Sequence, residues 1–155
     1  MGIEENKEVV RRYFKELFNK GNFSVLEEII SPEYIVPQIP DSKGIGGGRF
    51  IPTLLRAGFP DIHITVDDIV AERDTVATRI SLTGTHTGQY VDLAPTGKKV
   101  SFTQAWFFRL KDNKITEAIL ISAGHMLLMQ IGILPPTDIK FMQEFYRNLI
   151  EKEQS

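Results

Sequence analysis

From Val100 to Leu110 the chain reads Val-Ser-Phe-Thr-Gln-Ala-Trp-Phe-Phe-Arg-Leu. Successive side chains of a strand point to opposite faces. Val100, Phe102, Trp106, Phe108 and Leu110 therefore share one face, with the polar Gln104 among them. Ala105 and Phe107 make the other face largely apolar too. A strand of this kind needs cover on both sides. The expectation is a helix layer on one side and a partner subunit on the other.

The rest of the chain supplies that cover. Val9, Val10, Tyr13, Phe14, Leu17 and Phe18 recur at three- and four-residue spacing, one face of an amphipathic helix ended by Gly21. Ser24 with Glu27 reads as a capping box for a short helix through Ile30, stopped by Pro32. Tyr34 to Val36 is a brief strand. Pro37, Pro40, Gly44, Gly46, Gly47 and Gly48 mark a loop. No Lys-Ser or Lys-Thr follows those glycines, so they read as an entry to the next helix and not as a phosphate cradle. Arg49 to Ala57 is that helix, with Phe50, Leu54 and Ala57 on one side and Pro52 in its first turns.

After Phe59-Pro60-Asp61 the period changes to two. Ile62, Ile64 and Val66 alternate with His63, Thr65 and Asp67, and Val76, Ile80 and Leu82 alternate with Ala77, Arg79 and Ser81. Gly84-Thr85-His86-Thr87-Gly88 bends or ends the second of these strands, and Ala94 to Gly97 forms a turn. Asp112-Asn113 leads into a last strand, Ile115 to Ile121. Met126 to Ile131 is a short helix stopped by Gly132. Pro135-Pro136 breaks the chain, and Thr137 caps a final amphipathic helix carrying Ile139, Met142, Phe145, Tyr146, Leu149 and Ile150. Helices, then consecutive strands, then a helix make an α+β pattern, an antiparallel sheet with helices gathered on one face.

Composition closes several routes. The 155 residues suit one compact domain, able to bury roughly 68–70% of the unfolded surface. The net charge is −2 with both signs interspersed, and no basic stripe points to nucleic acid. The absence of cysteine excludes disulfides, thiol nucleophiles and Cys-ligated metals. Met1 to Lys7 is acidic and polar without an apolar signal core, and no run reaches ~18 apolar residues. Gly2 lacks the Ser or Thr at Asn6 that myristoylation wants. These features lead to the expectation of a soluble cytoplasmic protein without a membrane partner. The three histidines show no metal-binding spacing, and no Gly-x-Ser-x-Gly hydrolase motif is present.

The ordered set Phe59-Pro60-Asp61, Gly84-Thr85-His86-Thr87-Gly88, Pro95-Thr96-Gly97-Lys98, Phe108-Arg109 and Gln130-Ile131-Gly132 resembles the SnoaL-like polyketide cyclases, within the nuclear-transport-factor-2-like superfamily. The resemblance runs from about Asn6 to Gly132. It implies a curved sheet wrapped by helices into a cone with a deep apolar pocket, of the cystatin-like or nuclear-transport-factor-2-like kind. It implies a cone domain over 1–134, a C-terminal helical extension over 135–155, and a homodimer or tetramer packed through the sheet. The cyclases close an aromatic polyketide ring by an aldol-type condensation, without metal or cofactor. Such chemistry needs a dry, shaped pocket, an acid–base group of shifted pKa and donors for the enolate oxygen.

Matched position by position, the resemblance places Trp106 where the best-known cyclases have a histidine, and Leu120 where they have the acid–base aspartate. Val36-Pro37 and Ala123 are likewise apolar where relatives carry polar residues. Gln104 is the matching polar residue that remains. The candidate catalytic residues are Gln104 and His125, the latter at the start of the short helix near the cone's mouth, where an imidazole kept neutral could act as a base. The candidate pocket is lined by Tyr13, Phe14, Val36, Phe50, Leu54, His86, Trp106 and Leu120. His86 and Trp106 each have an alternative reading as core. Two functions stand: a small hydrophobic, polyketide-like ligand bound and cyclised or isomerised without a cofactor, or a non-catalytic binding or interaction module. An engineered apolar pocket is a third origin for the same pattern.

Overall fold

In the computed structural model, residues 2–121, 124–134 and 139–154 are described. The expectations for Ala123, Pro135, Pro136 and Thr137 lie outside the described residues. The sequence builds α1 (Ile3–Arg12), which continues as a π-helical segment (Tyr13–Lys20), then a 3-10 turn (Phe23–Val25) and α2 (Leu26–Ile29). β1 (Ile30–Val36) and β2 (Ile39–Lys43) follow, then α3 (Gly44–Gly47) and α4 (Phe50–Gly58). The main strands are β3 (His63–Glu72), β4 (Thr75–Thr85), β5 (Lys99–Lys111) and β6 (Lys114–Ile121), and the chain ends with α5 (Gly124–Gln130) and α6 (Ile139–Gln154). No helix among the described residues is long and apolar enough to cross a membrane.

The six strands form one open, curved sheet in the order β2-β1-β6-β5-β4-β3. The α+β reading holds, with one pairing the sequence pattern did not contain: β1 lies parallel to β6. All other pairs are antiparallel. A parallel pair needs a long connection, and here residues 37–113, about half of the chain, separate the two strands.

The first helix lies across the inner face of the sheet. Val10, Tyr13, Phe14, Leu17 and Phe18 are all buried, as their spacing predicts. The wider π turn is a form that occurs mostly as short insertions, often at functional sites. Gly21 ends the segment in the left-handed region at φ 63°, its N–H returning to the Glu16 carbonyl. Arg56 of α4 then donates to the carbonyls of Phe18 (2.6 Å) and Asn19 (3.2 Å), which a helix end leaves without intrahelical partners. Asn19 is tied to β3 by its side chain, accepting from Ile64 N–H and donating to Ile64 carbonyl.

Several local expectations are corrected. Asn22, not Ser24, caps the turn before α2: its Oδ1 accepts from the Ser24 N–H. The chain turns from helix to strand at Ile30, and Pro32 sits inside β1 on the exposed side. β2 and α3 occupy the stretch read as loop. Gly47 packs so closely on Ser42 that a Cβ there would lie 2.5 Å from its carbonyl carbon. β3 runs on to Glu72, past the point where alternation breaks, because a bulge between Val66 and Asp68 resets the faces. On α4 the buried residues are Ile51, Pro52, Leu55 and Gly58, whereas Phe50 is 46% exposed and Leu54 half-buried. The helix is therefore rotated from the Phe50/Leu54/Ala57 face the spacing suggested, toward the side that packs on the core.

The inner face of β5 is buried throughout: Val100, Phe102, Gln104, Trp106, Phe108 and Leu110. Its outer face is left uncovered by the described residues, and Phe107 is 43% exposed.

Candidate functional site

The centre of the inner sheet face is defined by register. Trp106 of β5 is the direct cross-strand partner of Leu120 of β6, and directly opposed antiparallel residues share a face. The two positions that the cyclase resemblance assigns to a proton relay are thus neighbours on the inner face, and both are apolar. Trp106 is only 1% exposed, and Leu120 is half-buried against the core.

Trp106 sits within an aromatic cluster. The helix contributes Tyr13, Phe14 and Phe18, with ring centroids 6.0, 5.6 and 6.1 Å from the indole, all edge-on. Phe108, on the same face of β5, stacks on the indole at 5.8 Å with planes 7° apart. Offset and edge-on rings are favourable packing modes for aromatic quadrupoles. Tyr13, Phe14, Phe18, Trp106 and Phe108 are each at most 1% exposed. Solvent does not reach these rings, so in this conformation they fill the interior between helix and sheet.

The polar groups in this interior are few. Gln104 is buried, and its Oε1 accepts the Trp106 indole N–H at 3.2 Å. That bond gives Trp106 the partner a buried indole needs and fixes the amide. Thr78, opposite Trp106 on β4, donates its hydroxyl to the Trp106 carbonyl at 3.4 Å. Tyr13 and Tyr34 bring their hydroxyls to 3.4 Å from one another. Burial pushes the Tyr34 phenol up to about 12. Tyr13 is raised well above its ordinary value, first by burial and then by Tyr34. Both are neutral donors over the physiological range.

Of the candidate residues, the fold brings Gln104, Trp106, Tyr13 and Phe14 together, with Leu120 beside them and Val36 buried on β1 next to β6. His86 belongs elsewhere. It is fully buried, stacked on Phe59 at 5.2 Å, with Nδ1 bonded to the Thr96 hydroxyl at 2.9 Å. Its backbone bonds to Lys98 and Gly97, so it pins the 86–98 loop. His125 is exposed on α5, and Phe50 faces outward on α4. Tyr34, Phe18 and Phe108 were not among the expected site residues. Tyr34 was accessible to the same reasoning: it precedes Val36 by two residues in a strand, which puts both on one face. Among the described residues no His, Asp and Glu side chains gather in a group able to hold a metal.

Comparison with known proteins identifies the family from this point. The model for SnoaL-like polyketide cyclases matches residues 8–131. The chain belongs to this family. No curated protein matches the sequence. Among solved structures, a putative SnoaL-like polyketide cyclase from Jannaschia sp. CCS1 is 26% identical with a TM-score of 0.77, over 88% of this chain and 97% of the other. IdmH, a putative polyketide cyclase from Streptomyces antibioticus, is 29% identical with a TM-score of 0.68, over 82% and 98%. AclR, a putative hydroxylase from Streptomyces galilaeus, shares the fold at 24% identity and a TM-score of 0.76, over 99% and 97%. The SnoaL-like core thus extends from the first helix to α5.

Proposed function

We propose that this SnoaL-like chain binds a small hydrophobic, polyketide-like molecule, and that any cyclisation or isomerisation it performs proceeds by positioning without a histidine–aspartate relay. The observation that carries this reading is the Trp106–Leu120 pair. Neither side chain can take up or release a proton, yet both face inward at the centre of the sheet. Gln104 beside them supplies an amide for orienting a ligand oxygen. Orientation alone lowers barriers substantially when reacting atoms are held in a near-attack geometry.

Trp106 is the only tryptophan in the chain, so its fluorescence reports directly on the interior. The test is titration with polyketide-type substrates, followed by assay of turnover. Saturable quenching with product formation supports the enzyme reading, and Gln104→Leu or His125→Ala is expected to lower turnover without loss of far-UV circular dichroism. Unchanged activity in both variants sinks it. The closed aromatic interior favours a second reading, a non-catalytic binding module, which saturable quenching without turnover supports.

The outer sheet face suits a second copy of the chain, as a homodimer or within a tetramer. Phe107, Ile119 and Ile121 (55% exposed) line a shallow groove of about 230 Å³ beside Arg109 and Glu117. Exposed apolar patches of this kind mark interaction surfaces. Sedimentation of Phe107→Glu against the parent chain tests this: dissociation supports it, and a monomeric parent refutes it.

A further inference from the structure

The hydroxyl pair has a hydrogen-bond count that packing alone leaves incomplete. A phenol carries one proton to donate and lone pairs to accept. Two phenols facing each other can spend only one of their two protons on the shared contact. The second proton has no acceptor among the described residues. The contact itself is 3.4 Å, long for an O–H···O bond, which is commonest near ~2.7–2.8 Å. The two oxygens are therefore not drawn tightly together, although both rings are almost wholly buried.

We infer that the Tyr13 and Tyr34 hydroxyls together form a donor site for a carbonyl or enolic oxygen of the bound ligand, an inference that rests on the binding function proposed above. The pair is held from both sides of the interior, Tyr13 by the π-helical segment and Tyr34 by β1. The Tyr13 ring also meets the Trp106 and Phe108 rings edge-on. An apolar, flat ligand that parts this cluster comes beside the Tyr13 ring and so within reach of the hydroxyl pair. Burial keeps both phenols protonated, so they offer protons and carry no charge that would repel an electron-rich oxygen. A purely structural pair would hold helix to sheet but would give no preference for oxygen in a ligand.

The test compares two probes by quenching of Trp106. One is methyl naphthyl ketone. The other is its isopropenyl analogue, in which a methylene group replaces the carbonyl oxygen and the shape is kept. The parent chain is expected to bind the ketone about tenfold more tightly, the effect of one buried hydrogen bond. Tyr13→Phe and Tyr34→Phe singly are each expected to keep the preference, because the remaining hydroxyl then has its proton to give. The double variant is expected to lose it while still binding the hydrocarbon, with circular dichroism confirming the fold. Equal affinities in the parent, or an undiminished preference in the double variant, overturn the donor site and leave the binding function standing. Failure of both probes to quench the parent overturns the binding function and the donor site with it.

Discussion

Replacing Trp106 by alanine separates a core-filling ring from one that lines an open pocket. The indole is 1% exposed and meets four aromatic rings, those of Tyr13, Phe14, Phe18 and Phe108. A buried tryptophan removes on the order of 150–250 Å² from water. At ~25 cal/mol per Å² that corresponds to about 4–6 kcal/mol, of which alanine retains a part. Truncations of this kind cost about 3–5 kcal/mol, more where the surroundings cannot relax. Here the cavity would be walled by rings fixed from helix and sheet, and Gln104 would lose the indole donor. The expected loss is therefore about 4 kcal/mol, a large share of a typical ~5–15 kcal/mol. With a urea slope of ~2 kcal/mol/M, the midpoint falls by about 2 M. Far-UV circular dichroism is the readout, since the variant has no tryptophan. Indole added to the variant should restore part of the loss by binding the folded state alone. A cost below about 1 kcal/mol would refute the reasoning, because it is what a solvated pocket wall would show.

Other perturbations address the remaining links. Tyr13 and Tyr34 are raised above the ~10 of an unfolded phenol. The native state therefore keeps protons that the unfolded chain releases, and stability is full below pH ~10 and falls as pH rises toward about 12, the value for Tyr34. Tyrosinate absorbance of the pair, read as the parent minus the Tyr13→Phe/Tyr34→Phe chain because Tyr90 and Tyr146 absorb as well, would contradict this by rising before circular dichroism is lost. Arg56→Met keeps the stem but removes the guanidinium from the Phe18 and Asn19 carbonyls; a cost of about 1–3 kcal/mol is expected by urea titration, and no change would mean water replaces it. Gly47→Ala places a Cβ against the Ser42 backbone, with an expected loss of about 1–3 kcal/mol; a neutral result would show that α3 shifts freely away from β2.

The outer face of β5 shows what a strand pattern can and cannot convey. An apolar residue at Phe107 announces that cover is needed. Among the described residues that cover is absent, and Phe107, Ile119 and Ile121 stand together only because β5 and β6 pair in one register. The same applies to the site. Alternation put Gln104, Trp106 and Phe108 on one face, and helical spacing put Tyr13 and Phe14 on another. Neither says that the two faces meet, or that their rings close on each other. His86 illustrates the reverse: its motif carried the family resemblance, but its ring serves the 86–98 loop next to Phe59 and lies apart from the Trp106 cluster.

By itself the sequence determined the α+β order, the inward faces of the first helix and of β5, the family resemblance and the apolar identity of Trp106 and Leu120. These are local properties, written in periodicity and residue identity. Only the tertiary structure decided the parallel pairing of β1 with β6, the strand β2, the bulge that carries β3 to Glu72, the rotation of α4 away from Phe50, and the meeting of Tyr13 with Tyr34. Each of these depends on contacts between segments far apart in the chain. Periodicity records that a side chain is to be buried; the partner that buries it, and any proton left over when they meet, is settled only where the elements pack.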